Sequence, residues 1–142
     1  MELRIEAESR SMAEEMRYVV DQLHRENLAR AKKAWKRAEV RLFLRDEEGT
    51  VQGGCFGSVS MGWIEILILW VAPEARGQGW GEKMMNQAEW LAQEHGAIGA
   101  MVQTTDFQAR PFYERLGYEV FADWPDNPPG HVTYFLRKRW KV

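Results

Sequence analysis

The segment "RGQGWG", Arg76 to Gly81, sets glycines at three alternate positions between the apolar run "IEILILWV" (Ile64 to Val71) and a helical pattern. Glycine loses more conformational freedom on folding than any other residue, so this density needs a cause. A strand, a glycine-rich turn and a helix together make an anion site. The first backbone N–H groups of a helix have no internal partner, and the positive end of the helix dipole adds to their pull. A turn without side chains also lets a phosphate approach the backbone. Spacing excludes two phosphate motifs. A P-loop requires glycine directly before lysine and then Ser or Thr, whereas Glu82 precedes Lys83 and Met84 follows. The fingerprint G-x-G-x-x-G would need its last glycine at Glu82, and no second β-α-β half follows. What remains is [Arg or Gln]-x-x-Gly-x-[Gly or Ala], met by Arg76, Gly79 and Gly81. A bare strand-to-helix turn would need a single glycine.

On these residues the chain resembles the GNAT superfamily of acetyl-CoA-dependent N-acetyltransferases. "LWVAPEARGQGWGEKMM" is similar to that family's fourth strand and third helix, and "ARPFYERLGYEV" to its later helix and following strand. The likeness covers Gly62 to Val120; the N-terminal third follows only in element order. It implies an α/β (α+β) fold with a central mixed sheet of about six to seven strands flanked by about four helices. In that fold the strands at Ile64–Val71 and Ile98–Thr104 splay apart and admit the pantetheine arm of acetyl-CoA. The resemblance places the pyrophosphate on backbone N–H groups of Gln78, Gly79, Trp80, Gly81 and Glu82, in one turn with Arg76 and Gly77. It pairs the pantetheine with the main chain near Leu69, Trp70 and Val71.

Acetyl transfer to an amine requires that the amine lose a proton, that the oxyanion be stabilised and that the departing thiolate be neutralised. A lysine-like amine, with a pKa of about 10.4, needs a base acting directly or through water. Glu65, an acid at the head of an apolar strand and eleven residues before Arg76, resembles in position the general-base glutamate of histone acetyltransferases. Burial there would raise its pKa; an ordered water is the alternative base. Tyr113 resembles the family tyrosine that protonates the coenzyme A thiolate. Phe112 and Leu116, four apart, are expected to bury one helix face and turn Tyr113 about 100° away, towards the cleft. A backbone N–H near Trp70 or Val71 would hold the oxyanion. Many relatives carry an asparagine seven residues before the tyrosine to bond the coenzyme. Here it is Asp106, which accepts but does not donate, with Gln108 and Arg110 as replacements.

The elements that must position these groups follow from periodicity. "LRIEA" (Leu3 to Ala7) alternates like a strand, and Met12 to Trp35 has helical spacing as one bent helix or two short ones. "VRLFLRDEEGTVQGGCFGSV" reads as a hairpin turning at "DEEG". Ile64 to Val71 is too apolar to alternate and reads as covered on both faces. A helix runs from Gly79 to His95 on Trp80, Met84, Ala88 and Leu91, with Gly96 as its stop signal. A strand at Ile98–Thr104, a short helix at Gln108–Gly117 and closing strands in "YEVFADW" and "HVTYFLRKRW" complete the order.

At 142 residues the chain is expected to form a single domain, 1–142. Nineteen Lys and Arg against 21 Asp and Glu give a net charge of −2, without the basic footprint of a nucleic-acid binder. No apolar run has membrane-spanning length, and the start "MELRIEAESR" lacks a signal-peptide core, so the expected location is the cytoplasm. Cys55 reads as a buried core residue, and His24, His95 and His131 lack metal-ligand spacing, so no metal is expected. The loop "DWPDNPPGH", with Asp123, Trp124, Asp126 and His131, is a candidate acceptor loop, against the plainer reading that prolines and aspartates make turns. The expected activity is acetyl transfer from acetyl-CoA to a primary amine of a small-molecule or peptide acceptor. Members of this family often dimerise. The rival is a non-catalytic acyl-CoA sensor.

Overall fold

The computed structural model describes residues 1–140; Lys141 and Val142, the end of the expected domain, lie outside the described residues. The chain forms two compact units, Met1–Ala34 and a larger one from Trp35 on. In the first, α1 (Ala13–Ala31) is one helix, closed by Lys32 in the left-handed region at φ 57° and by a bond from Lys32 N to the Leu28 carbonyl. The expected strand at Leu3–Ala7 does not form. Alternation makes a strand only where a neighbour supplies a ladder, and this stretch pairs with none, leaving Leu3 and Ile5 exposed.

The second unit is built on six strands and two helices. They are β1 (Ala38–Arg45), β2 (Val51–Ser60), β3 (Trp63–Val71), α2 (Trp80–Glu94), β4 (Gly99–Thr105), α3 (Arg110–Arg115), β5 (Glu119–Pro125) and β6 (Val132–Arg139). The sheet order is β1-β2-β3-β4-β6-β5. All pairs are antiparallel except β3–β4, which is parallel because α2 carries the chain back to the same end of the sheet. The mixed sheet is therefore as expected, with three α-helices among the described residues. Asp46 shapes the first hairpin, its Oδ1 accepting from the N–H groups of Glu48 and Thr50. Met61 and Gly62, both at positive φ, make the tight second turn.

Alternation puts Val59, Ile64, Ile66, Ala100, Val102 and Leu136 on the α2 face of the sheet, where they are buried with Met84, Met85, Ala88 and Ala92 of that helix. The opposite face stays open at β3: Leu67 is 55% exposed, Ile68 51% and Trp70 49%. The expectation that this strand is covered on both faces is thus corrected. Gly99 is fixed by packing, since a Cβ there would run into the Trp63 ring and lie 2.6 Å from the Lys138 carbonyl oxygen. One charged group enters the core. Glu89 of α2 is 6% exposed and accepts from Tyr118 Oη and Lys138 Nζ, both at 2.9 Å, tying α2 to β6 and to the start of β5.

Two irregularities shape the site. β3 and β4 pair only from Trp63↔Gly99 to Ile66↔Val102; beyond that β4 runs on with β6 while β3 diverges. At the same point β3 bulges: Gly57 partners Ile66 and Phe56 partners Ile68, leaving Leu67 as the extra residue. A bulge bends its strand, which opens the gap.

Candidate functional site

β3 leads through a short 3-10 turn (Pro73–Ala75) to Arg76, whose Nε donates to the Val71 carbonyl at 2.9 Å and folds the turn back on the strand end. Gly77 and Gly79 have φ of 76° and 82°, and Gly79 is the N-cap of α2. No side chain caps the helix; its first backbone bond is Lys83 N to the Gly79 carbonyl. The N–H groups of Trp80, Gly81 and Glu82 are left without helical partners at the positive end of the dipole. The glycines divide the work. A Cβ on Gly77 or Gly79 would meet nothing within 4 Å, so these two supply the left-handed backbone and leave the space above it free. A Cβ on Gly81 would lie 3.3 Å from the Phe112 ring, so this one lets α3 approach. A cavity of 460 Å³ lies over the turn, lined by Arg76, Gly77, Gly79 and Glu82 and, from α3, by Phe112 and Arg115. Gln78 is not among its lining residues.

A second cavity, of 280 Å³, fills the gap between the diverging strands, with Ile66 to Trp70 on one wall, Gln103 and Thr104 on the other, and Tyr113 and Gln108 closing it. Ala72 N donates to the Gln52 carbonyl at 2.7 Å. Because peptide groups alternate along a strand, Trp70 and Ala72 address β2, while those of Leu69 and Val71 face the gap. The main-chain groups that face the gap are therefore those of Leu69 and Val71, the Val71 carbonyl already accepting from Arg76, and Trp70 contributes its side chain. The loop below is held by Thr104 Oγ1, which accepts from Ala109 N, and by Gln108 Oε1, which accepts from Thr105 N.

Tyr113 is the buried residue of α3, 7% exposed, edge-on to Phe112 and Tyr118. The expected arrangement of this helix is corrected: Phe112 and Leu116 are half-buried walls of the first cavity, and Tyr113 is the side chain sunk into the core. It still lines the gap, because the divergence of the strands brings the gap to the core. Burial, with the Cys55 thiol as a smaller second cause, pushes the Tyr113 hydroxyl up to about 12. The phenol stays protonated through the neutral range.

Glu65 sits at the other end of β3, half-buried, on the sheet face opposite α2. It lines a third cavity, of 330 Å³, with Ser58, Trp63, Met101, Phe121 and Arg137. β3 thus passes all three cavities in order: Glu65 at the base, the open ladder in the middle, the glycine turn at the tip. Asp106 and Arg110 are engaged elsewhere. Asp106 holds the start of β6, its Oδ1 2.9 Å from His131 Nδ1 and its Oδ2 accepting from Val132 N. Arg110 Nε donates to Glu114 and its guanidinium stacks on Tyr134. The loop before β6 is braced in the same way, with Asp126 accepting from Gly130 N and Thr133 Oγ1 donating to the Asn127 carbonyl.

The profile of the acetyltransferase (GNAT) domain family matches residues 38–120. The chain belongs to this family. Over 93 residues it is 44% identical to the blasticidin-S acetyltransferase of Streptomyces morookaense, covering 65% of this chain and 68% of that one. An acetyltransferase of Agrobacterium fabrum is 31% identical over 128 residues, 90% of this chain and 93% of the relative. A crystal structure of an Agrobacterium tumefaciens acetyltransferase superimposes with a TM-score of 0.85 at 28% identity, covering 97% of this chain and all of that one, 100%. The chain is an acetyl-CoA-dependent acetyltransferase with the GNAT fold.

Set against that fold, the residues fit the coenzyme: an uncapped helix start behind an open glycine turn, then main-chain groups free along a diverging strand. Several lining residues had no signal in the sequence. Arg115 reaches the first cavity only because α3 packs on the glycine turn, and Gln103 and Thr104 reach the second only because β4 and β3 diverge. Ser58 and Arg137 join Glu65 through strand register, which a linear reading cannot supply. Among the described residues no group of three His, Cys, Asp or Glu side chains converges as metal ligands, and no helix is long and apolar enough to cross a membrane.

Proposed function

We propose that the chain transfers acetyl from acetyl-CoA to a primary amine of a small-molecule acceptor by direct attack within a ternary complex. The observation that carries this reading is the order of features along β3: an anion cradle, an open strand edge bordered by a protonated phenol, and a carboxylate on the far face of the sheet. When bound, the coenzyme supplies an activated acyl thioester. The N–H groups of Gly79 to Glu82 hold the pyrophosphate with Arg115 beside them, and the main chain at Leu69 and Val71 binds the pantetheine as an added strand.

Glu65 takes the proton from the acceptor ammonium, directly or through water. The freed nitrogen lone pair forms the new C–N bond as the C–S bond breaks, and the acylated nitrogen then loses its second proton to solvent. The N–H of Val71 or Leu69 stabilises the carbonyl oxygen. Tyr113 donates a hydrogen bond from its phenolic O–H to the departing sulfur. Its raised pKa makes the phenol a weak acid, so it steadies the developing thiolate while solvent supplies the proton. Direct attack is favoured over an acyl-enzyme because the lone cysteine, Cys55, is fully buried and desolvation pushes its thiol up to about 11. The likeness to a blasticidin-S acetyltransferase supports a small antibiotic-type amine as acceptor.

The test is coenzyme A release from acetyl-CoA across a panel of small amines, with initial rates measured while both substrates vary. Intersecting double-reciprocal lines are expected. Parallel lines would replace direct attack with an acyl-enzyme, and binding of acetyl-CoA without release for any amine would leave a sensor.

A further inference from the structure

The third cavity carries a charge that amine acetylation does not require. Register builds one rung across four strands: Ser58 opposite Glu65, Glu65 beside Met101, Met101 opposite Arg137. The neighbours Ile64, Ile66, Val102 and Leu136 are buried on the α2 face, so the rung faces the other way, into the 330 Å³ space. Glu65 and Arg137 are two strands apart, about 10 Å between their Cα atoms. The Arg137 guanidinium lies over the Phe121 ring, its carbon 4.7 Å from the centroid. Glu119 lies opposite Arg137 in the β5–β6 register, yet among the described residues no carboxylate is within ion-pair distance of the guanidinium. Glu39, the other acid beside the rung, accepts from Ser58 Oγ at 3.0 Å.

An arginine held over an aromatic ring by cation–π attraction keeps N–H donors for a planar anion, which a guanidinium binds with two parallel hydrogen bonds. The same cavity holds an acid for the ammonium and a base with no acid of its own. A dication or a long polyamine would set a second positive charge against that guanidinium. We propose that the natural acceptor carries a carboxylate on the same small molecule as its reactive amine, with Arg137 holding the carboxylate while Glu65 receives the ammonium. This rests on the assignment of the Glu65 cavity as the acceptor site. Arg137 sets specificity and takes no part in bond making.

The experiment compares 4-aminobutyrate and 5-aminovalerate with their carboxamides and with 1,4-diaminobutane, using the wild type, Arg137→Gln and Arg137→Lys. Titration of each protein with acetyl-CoA checks that coenzyme binding is intact. The wild type is expected to favour the carboxylates over the carboxamides by about tenfold or more in kcat/KM, the worth of one lost charge-assisted contact. Arg137→Gln should raise KM for the carboxylates alone, and Arg137→Lys should recover part of the preference. Carboxamides or diamine used as well as carboxylates, or Arg137→Gln slowing all acceptors equally, would overturn the proposal and leave acetyl transfer standing. Acetyl-CoA binding with no turnover of any amine would instead overturn the transfer reading, and this inference with it.

Discussion

Replacing Gly79 by alanine separates the backbone role of the glycine turn from its lack of a side chain. The residue sits at φ 82° with no atom within 4 Å of an added Cβ, so neighbours contribute no clash. What remains is the intrinsic cost of the left-handed region for an L-residue, about 1–2 kcal/mol. If the turn holds its shape, the protein loses that much stability, a fall in Tm of roughly 3–8 °C for a chain of this size. If it relaxes instead, stability recovers, the first N–H groups of α2 turn away, and the coenzyme must restore the turn on binding. Its Kd then rises about 5- to 30-fold, at tenfold per 1.4 kcal/mol. Gly81→Ala is the control, because Gly81 has a helical backbone and alanine gains about 1 kcal/mol of helix propensity against a small shift of Phe112. Its affinity should stay within about threefold of the wild type, in line with a motif that accepts alanine there. Calorimetric titration with acetyl-CoA and coenzyme A, beside thermal melts of both variants, reads all these quantities. Gly79→Ala matching the wild type in both affinity and Tm, or Gly81→Ala losing affinity by more than about threefold, would refute the assignment of the turn.

Tyr113→Phe should lower kcat by about tenfold or more with acetyl-CoA affinity nearly unchanged, since the phenol's hydrogen bond acts on the leaving group and not on binding; an unchanged kcat would remove the phenol from the reaction. Burial raises the Tyr113 and Tyr118 hydroxyls above their unfolded values, so the unfolded chain loses protons first and stability falls as pH climbs past 10. For Tyr113, lifted to about 12, the loss approaches about 2–3 kcal/mol at the top of that range, and urea unfolding of Tyr113→Phe should show a shallower alkaline decline than the wild type. Equal slopes would contradict the burial argument. Glu89→Ala strips the buried partner from Tyr118 and Lys138 and should cost about 3 kcal/mol by denaturant melt, the low end for a broken buried pair because Lys138 can swing to solvent; a loss under about 1 kcal/mol would mean that the network contributes packing alone.

Much of this architecture could be read from the chain, and the parts that could not share a physical cause. The strand before the glycine turn, the long helix behind it and the closing hairpin have local signals: an apolar run, a three-to-four spacing, glycine stops. Met61 and Gly62 gave no such signal, since methionine is an uncommon occupant of a left-handed turn position, and β3 begins one residue earlier than its apolar run suggests. Leu3 to Ala7 carried a strand pattern with no ladder to join. The short helix shows the limit at the site: the four-residue spacing of Phe112 and Leu116 predicts a shared face, but where the helix docks decides that Tyr113 is the side chain buried. The rung from Ser58 to Arg137 lies furthest from sequence, because it exists only through the registers of three strand pairs.

The extra residue at Leu67 sets a parity rule for β3. Below it, Glu65 points away from α2; above it, Ile68 and Trp70 point the same way although both lie at odd offsets from Glu65, which plain alternation would send to the opposite face. Removing a single residue between Glu65 and Arg76 would therefore either erase the bulge, and with it the bend that opens the gap, or turn one end of the strand over. In the second case the carboxylate enters the core beneath α2, or the Leu69 and Val71 peptide groups turn from the gap to β2. The strand can change length in steps of two and keep its function, and a step of one disconnects the acid at its base from the opening above it.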